Sequence, residues 1–385
     1  MSSKIKVLQV IPKLGYGGAE TGCYDLAHFL AEQDCKSYIV TSGGPLLRFV
    51  KKEKVKIFRL PVQSKNPFLM LFNSICLVFI VLVYNINIVH ARSRAPAWSC
   101  FLSCFLTRRK FVTTFHGTYN FNNILKKFYN SIMVRSNLVI AGSNFIFKHI
   151  NENYNAYLNS KNKLMVIFRG INLEYYNSKN ISEIKKKEIK LNLKIIDENQ
   201  VILLPGRLTS WKGQEYFIEA LNILVQDYNH LNFQAIILGS DQGRNVYSKK
   251  LQNLVERYNL NKKVQFVEHC KDMPLAYSIS NIVTSSSIEP EAFGRVAVEA
   301  QAMKKPIVAS DIGGSKETIL NGKSGFLYKY NDPRDLAKIL NSVMELDNEA
   351  LYSIGNEGRK NVSKKFDVDK MCHSTFVEYK KLLKI

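Results

Sequence analysis

Paired cysteines and acidic residues are what this sequence is short of. Its seven cysteines are odd in number and take no metal-ligand spacing. Cys100 and Cys104 are at most neighbours on a helix, and His269 beside Cys270 has no second pair to complete a metal site. This usage excludes a disulfide framework and reads as reduced and cytosolic. A secretory leader is not expected, since MSSKIKVLQVI reads straight into a strand. Acidic residues number 32 against 54 Lys and Arg, a net charge of +22. That imbalance favours acidic partners: nucleic acid, anionic lipid or phosphate-bearing substrates. The apolar run Phe68–Tyr84, about 17 residues, sits at the lower limit for spanning a bilayer. Asn66 and Pro67 start it well as a helix, expected to be buried or to lie on a membrane surface. Asp367-Val368-Asp369 has a spacing seen in metal–nucleotide sites. Here it precedes the apolar period of Met371 and Phe376 and is a helix N-terminus instead.

What is present suits two α/β domains. The chain has 385 residues, and 46% hydrophobic content supports sizeable cores. Val283–Glu317 reads as strand, loop, helix, strand, loop, helix start. Two βα junctions in succession imply parallel strands with both loops at the carboxyl edge of one sheet, where doubly wound sheets bind ligands. Glu291 precedes the helix and Glu299 lies inside it. The amides of Phe293, Gly294 and Arg295 at the helix N-terminus suit an anion or a sugar hydroxyl. Alternatively, Glu291 favours the helix dipole and Glu299 joins a local polar network.

A second βα junction, VILLPGRLTSWKG, places Arg207 and Lys212 in and just after a loop. Arginine offers a fork for phosphate oxygens and lysine a point charge. Near the start, Gly15–Glu20 is a glycine loop between strand and helix, with Gly17 and Gly18 able to approach a phosphate closely. It is not a full dinucleotide fingerprint, and an ordinary tight turn reads the same. His116 follows the strand Phe111–Phe115 and precedes a glycine, a position open to function as well as to structure. Arg92, Arg94 and Trp98 are expected where a strand ends and a loop begins, with Trp98 exposed to an acidic or glycan acceptor or else packed inward. The polar run Asn177–Lys194 is a linker or a solvated helix.

The spacing E-x7-E in EAFGRVAVE, continued by AQAM, an apolar strand and GG-x-x-E-T, resembles the donor site of retaining family 4 glycosyltransferases of the GT-B fold. The resemblance covers most of the chain and is strongest over 204–327. It implies two facing doubly wound, Rossmann-like domains with a cleft between them. Residues 1–172 would form the acceptor-side domain, with a helix at about 370–385 packing back onto it, and 173–369 the donor domain. It implies that Glu291 contacts the transferred sugar, Glu299 holds the ribose, and Arg207 and Lys212 hold the diphosphate. His116 would stand beside the sugar and the loop of Gly17 and Gly18 would face the cleft. The stretch from Arg92 to Trp98 resembles family members of bacterial envelope-polysaccharide pathways.

The expectation is a retaining glycosyltransferase that uses a nucleoside diphosphate sugar, no cofactor and no metal. Its acceptor would be a saccharide or lipid-linked saccharide of envelope polysaccharide or lipopolysaccharide synthesis. An anionic membrane surface, rather than nucleic acid, is the expected further partner, with the chain peripheral at the cytoplasmic face of the inner membrane. A glycoside hydrolase would also use paired carboxylates, without needing Arg207 and Lys212 for a diphosphate. A non-catalytic basic protein binding nucleic acid or membrane would explain the charge alone.

Overall fold

The computed structural model describes residues 5–158, 163–243, 245–268, 270 and 272–385, so His269 lies outside the described residues. The chain divides into two compact units: Met1–Gly170 with Val368–Ile385, and Ile171–Asp367.

The first unit is a seven-stranded parallel sheet with helical connections. In chain order it runs β1 (Lys6–Val10), α1 (Gly18–Glu32), β2 (Lys36–Thr41), β3 (Val55–Arg59), α2 (Pro67–Val83) and β4 (Ile88–Ala91). It continues with α3 (Arg94–Thr107), β5 (Lys110–Phe115), α4 (Ile124–Ser131), β6 (Leu138–Ala141), α5 (Asn144–Tyr154) and β7 (Lys163–Val166). The strand order is β3-β2-β1-β4-β5-β6-β7, so the direction of winding reverses between β1 and β4. Strands such as β1 and β4 are buried at almost every position because helices cover both faces of a parallel sheet. The C-terminal helix (Val368–Leu383) packs Val368, Cys372, Phe376 and Tyr379 against Val7, Leu26, Leu30 and Ile88.

Two local expectations need correction. Arg94 opens α3 instead of a loop: Ser93 is extended at the N-cap and Pro96 sits in the first turn, where proline's missing N–H costs no helical bond. β7 is a strand that the sequence conceals. It lies at the sheet edge with no fully buried residue, so it shows no apolar run.

α2 is capped by Asn66, whose side chain accepts from the Phe68 amide at 2.9 Å. Among the described residues no helix is long and apolar enough to cross a membrane. Leu77 and Val81 of α2 are buried, whereas Phe68, Phe72 and Phe79 are exposed.

The second unit begins with α6 (Glu183–Asn192), which buries no residue, as the polar composition of this stretch requires. There follow β8 (Gln200–Pro205), α7 (Gln214–Gln226), β9 (Phe233–Leu238), α8 (Asn245–Arg257), β10 (Val264–Val267), α9 (Met273–Ile279) and β11 (Ile282–Ser285). The unit ends with α10 (Arg295–Ala302), β12 (Ile307–Ser310), α11 (Ser315–Thr318), β13 (Phe326–Tyr328), α12 (Pro333–Met344) and α13 (Asn348–Lys365). Its six parallel strands lie in the order β10-β9-β8-β11-β12-β13, with a reversal between β8 and β11. Phe217, Leu221, Phe233, Ile237 and Leu340 are fully buried in its core.

Behind α10 the packing is polar and specific. Asn361 of α13 donates to Gln301 Oε1 at 3.0 Å and to the Thr318 carbonyl at 2.9 Å, which fixes the helix carrying Glu299. Arg359 donates to the carbonyls of Tyr176, Ala302 and Leu173 at 2.5, 2.7 and 2.9 Å. One guanidinium thus satisfies three carbonyls that a single ammonium does not span. Arg359→Ala is therefore expected to destabilise the chain by about 2–4 kcal/mol, and Arg359→Lys to recover less than half of that. Urea unfolding of the three proteins measures it. A native midpoint for Arg359→Ala would show that the three carbonyls find other donors.

Candidate functional site

β8 and β11 are parallel neighbours, with Ile202 opposite Ile282 and Leu203 opposite Val283. Their carboxyl ends therefore emerge side by side, at the point where the winding of the sheet reverses. From β8 the chain passes through Arg207 into a single 3-10 turn, Ser210–Lys212. From β11 it passes through three serines to Glu291.

The two loops are bonded together. Lys212 Nζ donates to Glu291 Oε1 at 2.7 Å, and both side chains are largely shielded from solvent. The Ser287 hydroxyl donates to the same oxygen at 2.5 Å, and Ser286 Oγ donates to the Lys212 carbonyl at 3.0 Å. The Ile288 amide donates to the Trp211 carbonyl at 2.9 Å. Gly213 makes the approach feasible. Its φ is +67°, and a β-carbon there would lie 1.9 Å from the Ser286 carbonyl oxygen. Burial pushes the Glu291 carboxyl up. The Lys212 ammonium and the bonds from Lys212 and Ser287 outweigh it and hold the group below the usual carboxylate range. Glu291 therefore belongs to a fixed ion pair and does more than face a helix dipole.

Arg207 lies on the same edge with an exposed side chain, and its guanidinium has no partner among the described residues. Its carbonyl accepts from Gln214 Nε2 at 2.9 Å, which ties the loop to the start of α7. Gly294 is the N-cap of α10 with φ +79°, and the Phe293 ring is buried edge-on against Phe366, 5.5 Å between centroids. At Phe293 only backbone atoms remain to face a ligand.

Glu299 is buried with both oxygens engaged. Arg295 Nε donates to Oε1 at 2.5 Å and the Tyr277 hydroxyl to Oε2 at 2.8 Å. The Tyr176 ring packs edge-on against that of Tyr277, 6.2 Å between centroids, and burial raises both tyrosine hydroxyls well above their ordinary range, so they stay protonated. The Arg295 guanidinium loses hydration through burial, but Glu299 more than compensates and its pKa rises. Tyr176, Tyr277 and Ser287 are residues that sequence reasoning missed. Ser287 is four residues before Glu291 in the same loop, a nearness visible in the sequence; the tyrosines carried no signal.

The first unit has its own polar cluster at the reversal between β1 and β4. Gly17 caps α1 from an extended conformation. A β-carbon on Gly18 would lie 2.5 Å from the Arg169 guanidinium, so that cation lies directly against the glycine loop and would shift if Gly18 carried a side chain. His116 follows β5, and both its ring nitrogens are shielded from solvent with no hydrogen-bond partner among the described residues. Burial, reinforced by the nearby Arg169 and Arg92 charges, holds this imidazole well below the usual histidine range, so it is neutral at pH 7. With His90, Arg92, Thr114 and Arg169 it lines a cavity of about 20 Å³, room for one water-sized group. His90 is also neutral, buried between the Tyr379 hydroxyl at 2.6 Å and Thr114 Oγ1 at 2.7 Å. Arg169 is a site residue to which the sequence alone gave no role.

Arg92, Arg94 and Trp98 are not a solvent-facing trio. Arg92 is buried and donates to Gln9 Oε1, through Nε at 3.0 Å. Arg94 donates to Asn130 Oδ1 at 2.9 Å and lies over the Tyr119 ring. Trp98 is half-buried, with its indole N–H donating to the Tyr129 carbonyl at 3.1 Å. Burial takes Arg92 from the surface, and Trp98 on α3 takes the inward-packed alternative.

Comparison with known proteins identifies the family. Residues 16–175 match the family model Glycosyltransferase Family 4, and residues 185–361 match Glycosyl transferases group 1. A crystal structure of a glycosyltransferase from Rickettsia africae ESF-5 is 36% identical, covers 99% of each chain and superposes with a TM-score of 0.90. A structure of Anabaena Alr3699/HepE in complex with UDP and glucose has the same fold, at 22% identity, 99% and 100% coverage and a TM-score of 0.81. The capsular polysaccharide biosynthesis glycosyltransferase CapM of Staphylococcus aureus is 27% identical over 45% of this chain and 44% of its own. The chain spans between 44% and 64% of the length of the first curated relatives it matches. Two parallel α/β units, both family models and a 36% identical relative matched end to end place this chain in the group 1 and family 4 glycosyltransferases, with the GT-B architecture.

Proposed function

We propose that the chain is a retaining glycosyltransferase moving a sugar from a nucleoside diphosphate sugar to a saccharide or lipid-linked saccharide acceptor. The observation that carries this reading is the Lys212–Glu291 pair beside the unpartnered Arg207 guanidinium, at the carboxyl edge of β8 and β11. Two cations there suit a diphosphate, and a carboxylate fixed against one of them suits the hydroxyls of the attached sugar. The relative whose structure holds UDP and glucose, and the one named for capsular polysaccharide synthesis, support a nucleotide sugar and an envelope product respectively. An anionic membrane at the cytoplasmic face is the matching place for a lipid-linked acceptor.

In this mechanism charge develops on the departing diphosphate as the glycosidic bond breaks. Arg207 and Lys212 neutralise it, the part a metal ion plays in other transferases. Such preorganised electrostatics is the largest catalytic contribution in many enzymes. Glu291, the backbone near Phe293-Gly294 and neutral His116 position the sugar. Glu299, held by Arg295 and Tyr277, anchors the ribose. The acceptor attacks on the leaving-group face through an oxocarbenium-like state, so no enzyme nucleophile is required. Thermal melting against uridine, guanosine and adenosine diphosphates, a nicotinamide dinucleotide and a nucleic acid tests the ligand class. Only a nucleoside diphosphate should raise the midpoint.

Arg207→Ala and Lys212→Ala are each expected to lower transfer by about 10²–10³. Near-native turnover in either folded variant would remove the diphosphate role from that residue. The carboxylates should separate. Glu291→Gln is expected to reduce turnover strongly, whereas Glu299→Gln chiefly raises the Kd for nucleoside diphosphate, and titration calorimetry with unchanged affinity would disprove the ribose role.

A pH series gives Glu291 a further test. Its carboxyl is held below the ordinary value of 4.5, so the pair's stabilisation is present above that pH and fades as pH falls through the folded value. The gap in melting temperature between native protein and Glu291→Gln should therefore be full at pH 7 and shrink below about pH 4.5. A gap constant with pH would mean that the ion pair contributes nothing.

A further inference from the structure

From Lys54 to Asn151 the chain runs 98 residues without an aspartate or glutamate, and that stretch carries 13 lysines and arginines. It contains α2, α3 and α4. Their surface polarity is the reverse of what water-facing helices show.

α2 turns its polar residues inward and its apolar residues outward. Asn73 is buried and donates to the Pro61 carbonyl at 3.1 Å, while Ser74 is buried and donates to the Met70 carbonyl at 2.8 Å. On the outer face Phe68, Phe72, Ile75, Phe79 and Leu82 recur at four- and three-residue steps, one stripe of a helix. All five are exposed, Phe68 at 83% and Phe79 at 65%. A helix that merely rounds off a sheet in water places these residues the other way round.

The stripe is continued by its neighbours. Ser99 of α3 donates to the same Met70 carbonyl at 2.9 Å, which locks α3 to α2. α3 ends in Phe105 and Leu106, exposed at 72% and 61%. Trp98 of α3 packs on Phe128 of α4, 5.6 Å between ring centroids, and α4 begins with Ile124 and Leu125, each more than 80% exposed. Cations flank these apolar groups. Lys65 precedes the cap of α2, and Lys56 donates to the Tyr84 hydroxyl at its far end at 2.8 Å. Arg108 closes α3 and is exposed, as is Lys126 on α4.

We infer that this face is a bilayer-docking surface. α2 lies flat in the headgroup boundary of an anionic membrane, its phenylalanines among the acyl chains and Lys65, Arg108 and Lys126 at lipid phosphates. The length of α2 fits: 17 residues make a helix of about 25 Å, too short to span and long enough to float. Charge chooses between lipid and a second copy of the chain. Two copies joined through this face would bring cations against cations with no carboxylate anywhere in the stretch to pair them. An anionic surface attracts each cation and accepts the stripe together. The assignment rests on the membrane side of the proposed function and on no step of the sugar transfer.

The test is co-sedimentation of the full chain with vesicles of phosphatidylglycerol and phosphatidylethanolamine, and with phosphatidylcholine vesicles, over a salt series. The native chain should bind the anionic vesicles at low salt. It should lose most of that binding at about 1 M salt, where charge is screened beyond about 3 Å, and keep a remainder through the stripe. Phe72→Ser with Phe79→Ser should weaken binding by about a hundredfold, roughly tenfold for each ring removed from lipid. Phe68→Ser with Phe105→Ser, at more exposed positions, should do the same and guards against misfolding of the first pair. Arg108→Gln with Lys126→Gln should weaken binding at low salt only. Protection by a nucleoside diphosphate in thermal melting should be equal in all these proteins. Its absence throughout, with vesicle binding retained, would overturn the transferase and leave the docking surface standing. No binding at low salt, or variants within twofold of native, would overturn the docking surface. So would a dimer in sedimentation velocity that both phenylalanine pairs render monomeric, and so would attachment that only detergent releases.

Discussion

The ion pair between Lys212 and Glu291 is the constraint on which the second unit's sheet edge depends. It joins loops from two strands that are neighbours in space and 79 residues apart in sequence. Without it a lysine and a carboxylate would be left shielded from water and unpaired, a costlier state than either the pair or two apolar side chains. Buried pairs of this kind add little net stability, because desolvation cancels most of the attraction. What the pair does is fix geometry. Ser287 and the short contact made possible by Gly213 hold the carboxylate in one place, and the β8 loop follows it.

Glu299 obeys the same logic eight positions further on, inside α10. Its partners are an arginine on its own helix and a tyrosine from α9, so its charge is balanced locally. The two carboxylates therefore sit in different electrostatic settings, one against a lysine at a sheet edge and one inside a network of arginine and neutral hydroxyls. That difference is why two glutamates eight positions apart take separate roles in the proposed reaction. The first unit offers a contrasting device: His116 is neutral and carries two orphaned nitrogens, capacity for hydrogen bonding that the described protein atoms leave unused.

Much of the fold was legible because parallel strands buried on both faces leave unbroken apolar runs. β6 and β9, buried throughout, fall on the largely apolar stretches Leu138–Ala141 and Phe233–Leu238. β7 was hidden because an edge strand is half exposed, and α3 because RSRAPAW begins with residues that also make loops. In the site, positions at strand ends were legible and side-chain directions were not. Nothing in the sequence distinguishes the buried Arg92 from the exposed Arg207, or shows that Tyr176 and Tyr277 turn toward Glu299. Those facts arise from long-range packing, which spacing along the chain does not encode.

The first unit is interrupted in sequence, and this governs the order in which the chain is able to fold. Its core needs Val368, Cys372, Phe376 and Tyr379, and Tyr379 also seals His90. A ribosome delivers those residues last. The second unit, continuous from Ile171 to Asp367, has all its strands in hand before the first can close. During synthesis the amino-terminal sheet must therefore wait, exposed on the face that the last helix will cover, while a unit made after it matures. Vectorial synthesis, which usually favours whichever part emerges first, here favours the part that emerges second.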